Sequence, residues 1–127
     1  MVIVEKENFM GGTGVAHFEH IMTADEMHGM NRVYAKVTLK KGCSVGYHVH
    51  DGDGEDYFVL SGIATLDDNH ERTLYLKPGE HYFTRVARVI VSQMSRMKTL
   101  YLWLSLFIIM NKNYKQITNL CKHNKQN

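Results

Sequence analysis

Cysteine, proline and tryptophan are scarce in this 127-residue chain, at two, one and one, and each shortage removes a class of explanation. Cys43 and Cys121 cannot build a disulfide framework, so stability must come from a buried core, and an intracellular, cytoplasmic setting is expected. The first thirty residues hold no basic stretch followed by an apolar one, so no secretory leader is expected. The longest apolar run, Leu100 to Met110, is broken by Ser105 and falls well short of the roughly 20 residues that a helical membrane span needs. No membrane role is expected. Two further shortages are local. All thirteen acidic residues lie between Glu5 and Glu80 and all ten glycines between Gly11 and Gly79, so neither type occurs after His81.

The formal net charge of +2 therefore joins two unlike parts. Residues 1–81 carry seven Lys and Arg against thirteen acids, a net of −6, and residues 82–127 carry eight cations and no acid, a net of +8. A basic end of this kind raises the question of nucleic acid. The cations are scattered, however, and 111–127 is mostly Asn, Lys and Gln, which reads as a disordered polar tail with no nucleic-acid partner.

What is present upstream is a series of short strands. Val33, Ala35, Val37 and Leu39 alternate with Tyr34, Lys36 and Thr38, the period of a half-buried strand. Val2–Glu5, Val15–His20, Tyr57–Leu60, Ile63–Leu66, Thr73–Leu76 and His81–Thr84 are further strand candidates. They are separated by turn-forming stretches that include Gly11–Gly14, Asp51–Gly54, Asp67–Asn69 and Lys77–Gly79. Thr23-Ala-Asp-Glu26 fits a capping box for one short helical turn. Strands at this spacing without a long helical period predict an all-β barrel or sandwich.

His48 and His50 stand two apart on a predicted strand, so both rings project from one face. Glu55 follows the turn Asp51-Gly-Asp-Gly54 and can return a carboxylate beside them. Two imidazoles and one carboxylate form a facial donor set that suits Fe, Mn, Zn or Ni and leaves positions open for water or a small molecule. The turn is not a calcium loop of the EF-hand type, which requires glycine at its sixth position, here Asp56, and flanking helices.

The flanking residues carry a resemblance. Gly42, five residues, His48-x-His50, four residues, Glu55, six residues and Gly62 reproduce the spacing of the first conserved motif of the cupin family. The order of strands and turns from Val2 to Thr84 also resembles small single-domain cupins. The resemblance implies a double-stranded β-helix, or jelly-roll barrel, over 1–84. It further implies a divalent metal held by His48, His50 and Glu55, a small polar or anionic ligand in the cavity, and a homodimer. Members of the family include isomerases, decarboxylases and dioxygenases, so neither the reaction nor enzymatic turnover follows from the fold; a ligand-binding or sensor module uses the same cavity.

The second motif of that family requires, after Gly79, a proline, a glycine, a histidine and an asparagine where this chain has Arg85, Ala87, Ile90 and Met94. The fourth metal ligand is thus replaced by Ile90. The genetic code offers an explanation. Codons rebuilt from the last base of one codon and the first two of the next permit proline at Arg85, glycine at Ala87, histidine at Ile90 and asparagine at Met94. Residues 85–110 are accordingly expected to be an out-of-frame segment with an impaired metal site, and 111–127 its polar tail. Leu100–Met110 keeps an apolar alternation and is expected to stand in for the last barrel strand, with poorer packing than an evolved one. Among the other residues, His81 is expected to be hydrogen-bonded or exposed, His17 and His20 to face opposite sides, and His28 and His70 to be solvated. Cys43 is expected near the barrel mouth. Tyr34, Lys36, Tyr57 and Tyr75 are cavity candidates by strand alternation.

Overall fold

A computed structural model describes residues 2–49, 53–84, 88–93 and 99–108. Ten strands are seen: β1 (Val2–Glu7), β2 (Val15–His20), β3 (Asn31–Lys40), β4 (Ser44–Val49), β5 (Asp53–Ser61), β6 (Ala64–Asp68), β7 (Arg72–Leu76), β8 (His81–Thr84), β9 (Arg88–Gln93) and β10 (Thr99–Ile108). They form a six-stranded sheet in the order β1-β2-β3-β10-β5-β8 and a four-stranded sheet in the order β4-β9-β6-β7. The pairings are antiparallel throughout. No helix among the described residues is long and apolar enough to cross a membrane.

Alternation decides which side of each strand is buried. On β3 the even spacing of Ala35, Val37 and Leu39 turns all three inward, and on β2 Ala16 and Phe18 do the same. The smaller sheet contributes Val45, Ala64, Leu66 and Leu76, and together these side chains make one core between the sheets. A one-residue slip in any of these strands would send its apolar row to solvent, so the register is set by burial. The single helical turn α1 (Ala24–Met27) forms the predicted capping box: the Thr23 hydroxyl accepts from the Glu26 amide at 3.2 Å, and Glu26 reaches back to the Thr23 amide.

The segment 99–108 takes a more central place than that of a strand patched onto an edge. β10 lies between β3 and β5, opposing Leu102 to Val37 on one side and to Val59 on the other. Leu100, Leu102 and Leu104 face the core at 0 to 5% exposure, while Trp103 is 41% exposed on the outer face. The burial of this row matches that of β3. Physically, a sheet position open on both sides accepts any strand with the right alternation, since the ladder is backbone and the inward face needs only apolar volume. Gly62, at the turn before β6, adopts φ +89°, and a Cβ there would stand 2.7 Å from the Thr99 carbonyl oxygen, so glycine is required where β10 begins.

Candidate metal centre

The site begins with a close approach of backbone to backbone. Residues Phe9–Gly11 form a short 3-10 turn that lies on β4, and a Cβ at Gly46 would collide with the Met10 carbonyl, as one at Gly12 would with that of Ser44. Only glycine fits at 46. The β4–β9 register shifts between Val45 and His48 at the same place, and the displaced Gly46 carbonyl meets His48 Nδ1 at 2.7 Å. Because a carbonyl oxygen only accepts, Nδ1 carries the hydrogen and Nε2 is the atom presented to the interior.

Glu55 comes from the opposite sheet. On β5 the inward row is Asp53, Glu55, Tyr57 and Val59, all 5% exposed or less. Glu55 Oε2 lies 3.1 Å from His48 Nε2, with the two side chains 5% and 12% exposed. β4 belongs to the small sheet and β5 to the large one, so this contact spans the interior. A proton must sit between the two atoms, since Nδ1–H is already committed and a carboxylate cannot donate. Burial opposes a charge on His48, but the Glu55 contact, the Gly46 carbonyl and the negative charges of Glu55 and Asp53 outweigh it and raise the pKa of the ring.

Three neighbours complete the described surroundings. Thr84, on β8, opposes Glu55 in register and is buried. Asp53 is buried at the end of the inward row and is held by Arg32 Nη1 at 3.1 Å, with the guanidinium itself 55% exposed. The Tyr57 phenol is fully buried; burial and the adjacent Glu55 carboxylate push its pKa well above the ordinary value. Its hydroxyl lies beside Glu55 yet completes no well-formed hydrogen bond among the described residues.

Of the residues singled out from sequence, His48 and Glu55 converge, and His50 lies outside the described residues. Among the described residues no three His, Cys, Asp or Glu side chains gather in a metal-binding group. The donor chemistry at His48 and Glu55 nevertheless fits a divalent metal: a neutral imidazole oriented through its other nitrogen by a carbonyl is a usual ligand arrangement, and the carboxylate stands within reach of the same point. Of the expected turn Asp51–Gly54, Asp53 and Gly54 are strand, pairing with Ile108 and Phe107 as part of β5, and Asp51 and Gly52 lie outside the described residues. His81 is 63% exposed and bonds Asp56 at 2.7 Å on the outer face. His17 turns out to Glu5 at 3.2 Å, while His20 lies on the Phe18 side. His28 is exposed in a left-handed turn, and His70 is tied to Asp67 at 2.6 Å and stacked on Tyr47. Cys43 packs partly against the core and also lines a groove with His17, Thr38 and Tyr101 on the outer side of the large sheet. Of the cavity candidates only Tyr57 faces inward; Lys36 pairs with Glu19, Tyr34 shares its outward row, and Tyr75 is exposed. Gly46 and Asp53 were not legible as site residues. An isolated glycine inside a strand pattern was the available signal for the first.

No protein-family model matches the chain. An oxalate-binding protein of Thermotoga maritima is 35% identical over 77 residues, covering 61% of this chain and 63% of that protein. The match thus spans less than two thirds of the relative's length. A crystal structure of a predicted oxalate decarboxylase from Thermotoga maritima superposes with a TM-score of 0.77 at 26% identity, over 86% of this chain and 94% of that one. A cupin-like protein from the same organism superposes with a TM-score of 0.64 at 13% identity, over 76% and 70%, a likeness of fold alone. Two antiparallel sheets closing on a His48–Glu55 contact, together with these neighbours, lead to one assignment: the chain has the double-stranded β-helix fold of the cupin proteins it resembles.

Proposed function

We propose that this protein binds a divalent transition metal through His48, His50 and Glu55 and uses it to hold a small anionic ligand, of which a short dicarboxylate such as oxalate is the best-supported class. The observation that carries the reading is the 3.1 Å approach of His48 Nε2 to Glu55 Oε2 across the interior, with Nδ1 already anchored. When bound, such a metal polarises carboxylate or carbonyl oxygens as a Lewis acid. Arg32 supports the anionic class. Asp53 engages one arm of its guanidinium, and the rest is open to solvent two residues along β5 from Glu55. The name of the oxalate-binding relative supports the same class.

The test is elemental analysis after loading with Mn(II), followed by calorimetric titration of oxalate and of acetate into loaded and chelator-stripped protein. Oxalate should bind the loaded protein and not the stripped one, and His48→Ala and Glu55→Gln should both abolish retention of the metal. Oxalate binding that survives stripping and both substitutions would refute the reading.

The second reading is that residues from about Arg85 are an out-of-frame translation that removed the fourth ligand at Ile90. It rests on the simultaneous loss of four motif residues and of all acidic and glycine residues. Metal should then be substoichiometric in this chain and recover in a frame-restored gene; sequencing that finds one intact frame shared with close relatives refutes it. A homodimer is proposed through the outer face of the large sheet, where Trp103 lies tilted against Phe58 and both Trp103 and Phe83 are 40% exposed or more. Light scattering that returns a monomer at micromolar concentration would remove it.

A further inference from the structure

Arg32 reaches the side of its strand that alternation denies it. Along β3, Val33, Ala35, Val37 and Leu39 turn to the core, which places Arg32 in the outer row with Tyr34 and Lys36. The ladder to β10 is irregular at that point. Leu106 opposes Val33 and Phe107 opposes Asn31, so Arg32 is the extra residue of a β-bulge, a device that re-aims side chains at barrel rims. Before the bulge the two faces are exchanged. Asn31 turns outward, its Nδ2 donating at 3.1 Å to the hydroxyl of Ser105, which opposes Tyr34 and Asp56. Arg32 instead donates through Nη1 at 3.1 Å to Asp53, on the inward row of β5.

Packing alone does not call for an ion pair here. The Asp53 side chain is 7% exposed, and apolar residues of similar volume are often as stable as a buried pair or more so. What the pair adds is a fixed guanidinium. Its rigid fork carries five N–H donors, and with Asp53 on Nη1 the Arg32 side chain is still 55% exposed beside the end of the inward row. Asp53 and Glu55 are two apart on one face, about 6.6 Å along the strand at about 3.3 Å per residue. A short dicarboxylate can bridge that spacing, and a single carboxylate cannot.

We infer that Arg32 is the specificity-determining residue of the site: it takes the second carboxylate of a dicarboxylate whose first is held at His48 and Glu55, and Asp53 sets the direction of the fork. This rests on the metal-binding reading above. Arg32 selects the ligand and has no part in retaining the metal.

The test is calorimetric titration of oxalate and of acetate into Mn(II)-loaded protein, unaltered and with Arg32→Lys, which keeps the charge and loses the planar fork. Oxalate affinity should fall about tenfold or more, the usual worth of a charge-assisted hydrogen bond. Acetate affinity and Mn(II) content by elemental analysis should be unchanged. If Arg32→Lys does not fold, Arg32→Gln/Asp53→Asn, which leaves no charge of the pair buried and alone, is titrated in its place. Unchanged oxalate affinity would overturn the inference while leaving the metal site standing. Equal losses for oxalate and acetate would also overturn it, since Arg32 would then act as a general cation. So would loss of Mn(II) from Arg32→Lys, or failure of both variants to fold, which would make the pair a support of the barrel. If the unaltered protein binds oxalate no better with Mn(II) than after chelation, the metal-binding reading itself falls, and this inference with it.

Discussion

Leu102→Ala is the sharpest test of whether β10 is part of the cooperative core. Leu102 is 1% exposed and sits between Val37 and Val59 in the middle of the large sheet. The substitution removes three carbons, which at about 0.8 kcal/mol per buried methylene is a loss of about 2.4 kcal/mol. The cavity left between two strands that are pinned by their own ladders adds to it, for an expected total of about 3 to 4 kcal/mol. Against a typical domain stability of about 5 to 15 kcal/mol this is a large fraction, and at about 4 °C per kcal/mol it lowers the melting temperature by about 12 °C or more. Trp103→Thr is the control one residue away. Trp103 faces outward at 41% exposure and gives up chiefly its contact with Phe58, at a ring separation of 5.8 Å, so a cost of about 1 kcal/mol is expected. Urea denaturation monitored by far-UV circular dichroism measures both. Equal small losses from the two substitutions would show that 99–108 is laid against the sheet without joining its core, and the fold described above would be wrong at its centre.

Four further outcomes are expected. His48 has a raised pKa in the folded, metal-free protein, so its contact with Glu55 stabilises fully below the unfolded value of about 6.5 and is lost as pH rises through the folded value. Metal affinity must run the other way, weakening as pH falls through that raised value; parallel trends in melting temperature and Mn(II) titrations between pH 5.5 and 8.5 would contradict the shared proton. Asp68 accepts from Tyr82 at 2.6 Å and from Arg72 at 2.9 Å, and the Tyr82 bond and then Arg72, against opposing burial, lower its pKa. That stability is present above about pH 3.9 and lost as pH falls through the depressed value. Tyr82→Phe should therefore cost about 1 kcal/mol at pH 7 and flatten the acid limb of the stability profile; an unchanged limb in acid-denaturation curves would dismiss the bond. Gly46→Ala should lose metal retention together with thermal stability, because the added Cβ collides with the Met10 carbonyl and moves the anchor of His48; an unaltered melting curve and metal content would refute that close approach. Ile90→His should raise metal content in elemental analysis, and equal content would remove the case for a lost ligand.

Much of this architecture was legible because burial enforces alternation. β2 and β8 have the bounds expected from their apolar spacing, and the Thr23–Glu26 box forms both of its bonds. The His48–Glu55 approach was legible from the motif spacing, although β5 joins the opposite sheet and meets β4 across the interior instead of pairing beside it. What the sequence concealed depends on which sheet a strand joins. Asp53 read as a turn residue, since Asp is a poor strand former, yet Arg32 neutralises it and Ile108 pairs its backbone. Gly46 read as one of five spacer residues, although the approach of Met10 leaves no room there for any other residue. Tyr34, Lys36 and Tyr75 shared an alternation with Tyr57, and period alone does not say which face is the inner one.

The segment after His81 shows how little of a sequence the sheet itself reads. It contains no glycine and no acidic residue, yet it supplies β9 to the centre of the small sheet and β10 to the centre of the large one. Apolar codons share a thymine at the second base, so a thymine-rich stretch encodes leucine, isoleucine and phenylalanine in more than one frame. An altered frame can therefore preserve the inward row Leu100, Leu102 and Leu104 and still erase a ligand. A core demands apolar volume with period two, which many sequences meet. A metal ligand demands one side-chain type at one position, which few do. The two demands part at Ile90, where a strand residue is retained and the imidazole that the second motif requires is not. Barrel closure and loss of metal affinity are for this reason compatible in one chain, and folded protein alone is no measure of an intact site.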